Sequence, residues 1–153
     1  MNYLELQVAT ASCDYPSVEM FQHWMDTVLR DPAQNSEIVI RLVDDEESAA
    51  LNQQYRHKLG PTNILSFPFE APAGIETDLL GDLVICVPLI GREAVEQHKL
   101  PEHHWAHITI HGLLHLLGYD HIEESEAEEM EALEIKLLNM LNINNPYQEE
   151  STQ

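Results

Sequence analysis

The chain reads as a single α/β (α+β) domain in which a four-stranded mixed β-sheet is packed with about five α-helices. A metal site is expected on one helix and the turn after it. Three observations carry this reading. Strand-like and helix-like segments alternate as β-α-β-α over the first third of the chain. The ten residues between the last two strand-like segments are too few for a crossover helix, so those strands should be antiparallel neighbours and the earlier β-α-β units parallel. Finally, the stretch His111 to His121, HGLLHLLGYDH, places imidazoles at i, i+4 and i+10 around a glycine.

The elements follow in order. Residues 3–9, YLELQVA, alternate apolar and polar as a half-buried strand does. After Asp14 and Pro16 comes a helical stripe of Val18, Phe21, Trp24, Met25 and Val28, closed by the Asp31-Pro32 turn. Glu37 to Val43 is rich in β-branched residues. Asp44 with Glu47 then resembles a capping box for a helix running to about Tyr55. The loop RHKLGPTN, Arg56 to Asn63, leads into a short strand, Ile64 to Phe69, which Pro68 marks as an edge. Leu80 to Val87 is the fourth strand. Pro88 and Pro101 suit the first turns of two helices, one reaching Glu96 or His98 and one running to Leu117. A last helix, about Glu123 to Leu141, puts Met130, Leu133, Leu137 and Leu141 on its apolar stripe.

A length of 153 residues with 44% hydrophobic residues suits one domain, assigned to 1–143. The tail 144–153, with no periodicity, is expected to be mobile. No apolar run is long enough to span a bilayer, and the N-terminus lacks a signal-type core, so a cytoplasmic protein without membrane contact is expected. Cys13 and Cys86 are read as reduced thiols, the latter buried in an apolar strand. The formal charge of −20 argues against general nucleic-acid binding, and no DNA partner is expected. Much of that charge is concentrated, however. Between Asp120 and Glu134 there are eight acids and no lysine or arginine, the pattern of a solvated helix face. Arg56 and Lys58 stand together in one loop.

On a helix, His111 and His115 point the same way one turn apart and can close on one metal ion. Gly118 can take the left-handed conformation that ends a helix and let the chain return His121 as a third ligand. Three ligands leave one position of a tetrahedral ion open, the pattern of a catalytic site. The metzincin peptidases share this zincin-like spacing but carry a glutamate as general base where this chain has Gly112. The glycine costs about 1 kcal/mol in a helix relative to alanine and implies that bulk is unwelcome beside the metal. Asp120 is either a carboxylate that orients a ligand imidazole or a turn residue. His107, one turn before His111, is taken as a packing residue outside the ligand set, and His103 and His104 as surface residues.

HGLLHLLGYDH resembles the H-G-x-L-H-L-x-G-Y-D-H signature of the YbeY family of bacterial metal-dependent endoribonucleases. YRHKLGPTNILSFPFE is similar to that family's second signature and GDLVIC to a third, with order and spacing agreeing over residues 52–138. The loop departs from the usual pattern at Leu59 and Gly60. The resemblance implies one Zn²⁺ ion held by His111, His115 and His121, with Arg56 and His111 as catalytic residues. A guanidinium suits that role because it donates paired hydrogen bonds to phosphate oxygens. The implied activity is cleavage of single-stranded RNA. It also implies a role in maturing ribosomal RNA, notably the 3′ end of the small-subunit RNA, and in ribosome quality control, with the ribosome and ribosomal proteins as partners. With so few bases, RNA binding should lean on the metal, Arg56 and ribosomal proteins. Two alternatives are a ribosome-assembly factor whose metal is structural and a metallopeptidase.

Overall fold

Alternating aliphatic residues give Ser36–Val43 (β2) two different faces, and the sheet is built outward from it. The computed structural model describes residues 1–119 and 123–147. Asn2–Val8 (β1) pairs with β2 in parallel, and Leu79–Cys86 (β4) pairs in parallel on its other side. Ile64–Pro68 (β3) runs antiparallel to β4, giving the order β1-β2-β4-β3. The mixed four-stranded sheet and its antiparallel pair are as the sequence predicts. Pro68 sits on the outer strand, where a missing N–H disrupts no ladder.

Five helices connect and cover the strands among the described residues: Val18–Val28 (α1), Asp45–Arg56 (α2), Val87–Glu96 (α3), Pro101–Leu116 (α4) and Glu124–Met140 (α5). One face of the sheet, with Ile38, Ile40, Leu42, Ile64, Leu83 and Ile85, builds the main core with α1, α3, α4 and α5. Phe21, Trp24 and Trp105 meet there edge to face, at centroid separations of 5.6 and 5.9 Å. The other face carries a smaller cluster, Val43, Leu65 and Val84, with Leu51 of α2 and Phe67 against it. Cys86 is buried, as expected, and Cys13 is exposed. No helix among the described residues is long and apolar enough to cross a membrane.

The expected capping box at Asp44 does not form. Asp44 instead accepts hydrogen bonds from the Thr10 hydroxyl and the Ala11 N–H, tying the end of β1 to the start of α2. Glu47 is taken by Arg41, at 2.6 and 3.0 Å. The carboxylates satisfy tertiary partners that local spacing does not reveal.

Helix α4 lies against β3 so closely that Gly112 is required. A Cβ there would run into Ile64 Cδ1 and Leu83 Cδ2, and the Ser66 hydroxyl donates to the Gly112 carbonyl at 3.3 Å. Bulk is unwelcome at this position, as expected, and the sheet supplies a reason for it. Gly112→Glu, which would install the metzincin glutamate, is therefore expected to drive a carboxylate into the helix–sheet interface. We expect it to cost about 3 kcal/mol or more and to yield an unfolded chain instead of a peptidase. Thermal melts followed by circular dichroism test this, and a native-like melt would contradict it.

Candidate active site

Helix α4 is buried on almost every side, from His104 through Leu116. Its less buried positions, from the second residue turn onward, are His103, His107, His111 and His115, four residues apart along one stripe. The last three of these open onto a cleft of about 940 Å³ between α4 and the loop and edge strand that follow α2. Arg56, Asn63, Phe67 and Tyr119 line the same space. His104 corrects the surface reading: it is 2% exposed, and its Nε2 lies 2.9 Å from Glu93 Oε1. Asn63 donates to the same oxygen at 3.1 Å, so α3 and α4 together pin the loop end that borders the cleft. Burial pushes the Glu93 carboxyl up, but the hydrogen bonds from His104 and Asn63 outweigh it and leave it below its usual range.

The Arg56 side of the cleft is held by α2. The Ser48 hydroxyl donates to the Thr62 carbonyl at 2.8 Å and accepts from its N–H at 3.0 Å. The Asn52 amide donates to the Gly60 carbonyl at 2.9 Å. Both side chains are buried, so a loop that looks unconstrained in sequence is anchored at two points. Arg56 itself is exposed. Arg41 and Arg92 are engaged by Glu47 and Asp45, whereas the Arg56 guanidinium meets no carboxylate among the described residues.

His111 Nε2 and His115 Nε2 are 3.1 Å apart. Two nitrogens on one tetrahedral zinc, each about 2.0–2.1 Å from the ion, would be about 3.3 Å apart, so this pair fits shared ligation. Beyond His115, α4 ends as its glycine predicts. Gly118 has φ +98°, its N–H bonds the His115 carbonyl at 3.1 Å, and the Tyr119 N–H reaches back to Leu114 at 3.0 Å. His121 and Asp120 lie outside the described residues. Among the described residues no group of three metal-ligating side chains converges.

Glu134 is the residue that sequence reasoning missed. It belongs to the acidic run assigned to solvent, and six of its neighbours (Glu123, Glu124, Glu126, Glu128, Glu129 and Glu131) are indeed exposed. Glu134 is 0% exposed. It lies four residues after buried Met130 and three before buried Leu137, a spacing that places it on the buried face and was the available signal. Its carboxylate accepts hydrogen bonds from His111 Nδ1 and from the Tyr147 hydroxyl, and His107 Nε2 approaches it at 3.5 Å. Burial alone would raise its pKa, but the histidine and tyrosine contacts more than offset this and hold it down at about 2. A carboxylate accepts from an imidazole N–H, so this contact favours the His111 tautomer with its proton on Nδ1 and directs Nε2 toward His115 and the cleft. Burial lowers the pKa of His107, which favours its neutral form. Burial and Glu134 together push the Tyr147 phenol well up, keeping it a donor.

Tyr147 lies beyond the expected domain boundary at 143. Asn142, with φ +62°, and Ile143 close α5 through bonds to Asn139 and Leu138. The Tyr147 N–H then bonds the Asn145 side chain at 2.9 Å, and the ring is delivered edge-on to His107, centroids 5.5 Å apart. Residues 148–153 lie outside the described residues.

The family model described as Endoribonuclease YbeY matches residues 7–142. A Colwellia psychrerythraea protein named Endoribonuclease YbeY is 54% identical over 151 residues, covering 96% of this chain and 97% of that one. A Methylococcus capsulatus protein of the same name is 57% identical over 146 residues, covering 95% of each. The solution structure of a Thermotoga maritima protein shares the fold, with a TM-score of 0.58 at 22% identity over 97% of this chain and 99% of that one. Matched along nearly its whole length, the chain belongs to the YbeY family of endoribonucleases.

Proposed function

We propose that this protein is a zinc-dependent endoribonuclease that cuts single-stranded RNA during ribosomal RNA maturation, including the 3′ end of the small-subunit RNA, and in ribosome quality control. It works in the cytoplasm, with the ribosome and ribosomal proteins as partners. The observation that carries the reading is one cleft lined by closely spaced imidazole nitrogens and by an arginine with no carboxylate partner among the described residues. His111 and His115 hold the ion, and His121, at the motif's third position, completes the set. A zinc ion bound there supplies a Lewis acid for phosphoryl chemistry.

The chain's own groups then have separate tasks. Arg56 donates to the non-bridging phosphate oxygens and offsets the charge that grows on them during transfer. Glu134 keeps the His111 proton on Nδ1, away from the cleft. Tyr55 is exposed on the last turn of α2, edge-packed on Phe67 with centroids 5.0 Å apart. Together with Tyr119 it offers aromatic surface beside Arg56 on which an unpaired base stacks, which favours single strands. The peptidase alternative lacks a base, because no aspartate or glutamate lines the cleft among the described residues. Glu134 is turned to the back of His111.

Cleavage assays on single-stranded RNA, double-stranded RNA and a peptide test this. Single-stranded RNA alone should be cut, and zinc removal should abolish cutting. Arg56→Ala should lower kcat/KM by roughly 100-fold or more, the scale of losing one stabiliser of transition-state charge. Cutting unaffected by zinc removal would refute the reading. Tyr55→Ala should raise KM for single-stranded RNA about tenfold with little change in kcat, while Tyr55→Phe behaves as wild type. An equal loss in the phenylalanine variant would argue against stacking. Imidazoles bind metal only when neutral, so zinc per chain after dialysis should be retained near pH 7.5 and fall below about pH 6. Constant zinc content through pH 5 would count against a histidine site.

A further inference from the structure

The buried carboxylate behind His111 has no evident purpose as a stability device. An ionised group at 0% exposure is expensive to bury and is ordinarily paired with lysine or arginine. Glu134 has neither among its partners in the described residues. What surrounds it is a histidine that presents its other nitrogen to the cleft, a second buried histidine and the phenol of Tyr147. A carboxylate that accepts from the Nδ1–H of an imidazole fixes the ring's tautomer and rotation, and makes Nε2 a stronger donor to a cation.

We propose that Glu134 and Tyr147 form a two-step positioning relay for the metal site, in which Tyr147 fixes the carboxylate and the carboxylate fixes His111. The inference rests on the zinc reading of the cleft. Neither residue touches the ion or substrate through this contact, so both are positioning residues. Tyr147 acts on Glu134 Oε2, leaving Oε1 for His111 Nδ1. The chain from Asn142 to Tyr147 thereby becomes part of the metal site: the turn that ends α5 and the Asn145 side chain exist in the right place to return the phenol to Glu134. His107, its ring nitrogens buried and its Nε2 3.5 Å from Glu134 Oε2, packs beside the carboxylate and edge-on to Tyr147.

The test is zinc affinity, measured on the full chain by competition with a chromogenic chelator. Glu134→Gln keeps the shape but removes the charge, and should weaken zinc binding about 10–100-fold. Tyr147→Phe keeps the ring and removes only the donor, and should weaken it several-fold. Nitrogen-detected NMR of the metal-free imidazoles gives a second readout: His111 should be the Nδ1–H tautomer in the wild type and a mixture in Glu134→Gln. A purely structural carboxylate would lower the melting temperature of Glu134→Gln without moving either quantity. If Glu134→Gln does not fold, Tyr147→Phe alone decides. Normal zinc binding by wild type with unchanged affinity in the folded variants overturns the relay. Failure of the wild type to bind zinc overturns the zinc reading, and the relay with it.

Discussion

Everything at this site depends on α4 being packed into the middle of the domain. A helix that is apolar nearly all round must be enclosed, and α4 touches the sheet, α1, α3 and α5. Enclosure leaves few side chains a route to solvent, and along α4 that stripe is occupied by histidines. The imidazoles are therefore held by a close-packed core, where rotamers are few and displacement is resisted. Gly112 permits this, since it lets the helix backbone settle onto Ile64 and Leu83. The glycine sets the depth of the helix, and the depth of the helix places the histidines.

The electrostatics follow from the same enclosure. Most of the acids of α5 remain in water, where their charge is screened, and Arg41 and Arg92 are neutralised locally by Glu47 and Asp45. The cleft is different in kind. It contains Arg56 and imidazoles, no exposed carboxylate among the described residues, and one buried carboxylate on the far side of His111. A strongly acidic protein thus presents phosphate with a small region from which negative charge has been removed. That arrangement suits recognition of phosphate at the site itself instead of along a broad basic surface.

The loop that follows Arg56 shows how rigidity reaches the surroundings of an exposed residue. Arg56 closes α2 and projects outward, yet Ser48 and Asn52, about two turns and one turn earlier, hold the Gly60–Thr62 backbone. Their short polar side chains are buried in a helix where apolar residues would be expected, because they replace hydrogen bonds that the loop backbone would otherwise make to water.

Local patterns in the sequence were sufficient for the element order, the parallel and antiparallel pairings, the helix-ending role of Gly118 and the shared face of His111 and His115. Each of these depends on periodicity or on a short-range conformational preference, which neighbouring residues encode. The tertiary structure decided the rest. Asp44 and Glu47 abandoned a local cap for partners just after β1 and on β2. His104 became a core residue through Glu93. Gly112 answered to Ile64 of β3 and Leu83 of β4. Glu134, one acid in a long run of acids, was selected for burial only because α5 turns that position toward His111 and the chain after Asn142 returns Tyr147 to meet it. Apart from Arg41 and Glu47, which are 6 residues apart, such hydrogen-bonded partners are 11 to 46 residues apart in sequence, and only packing brings them together.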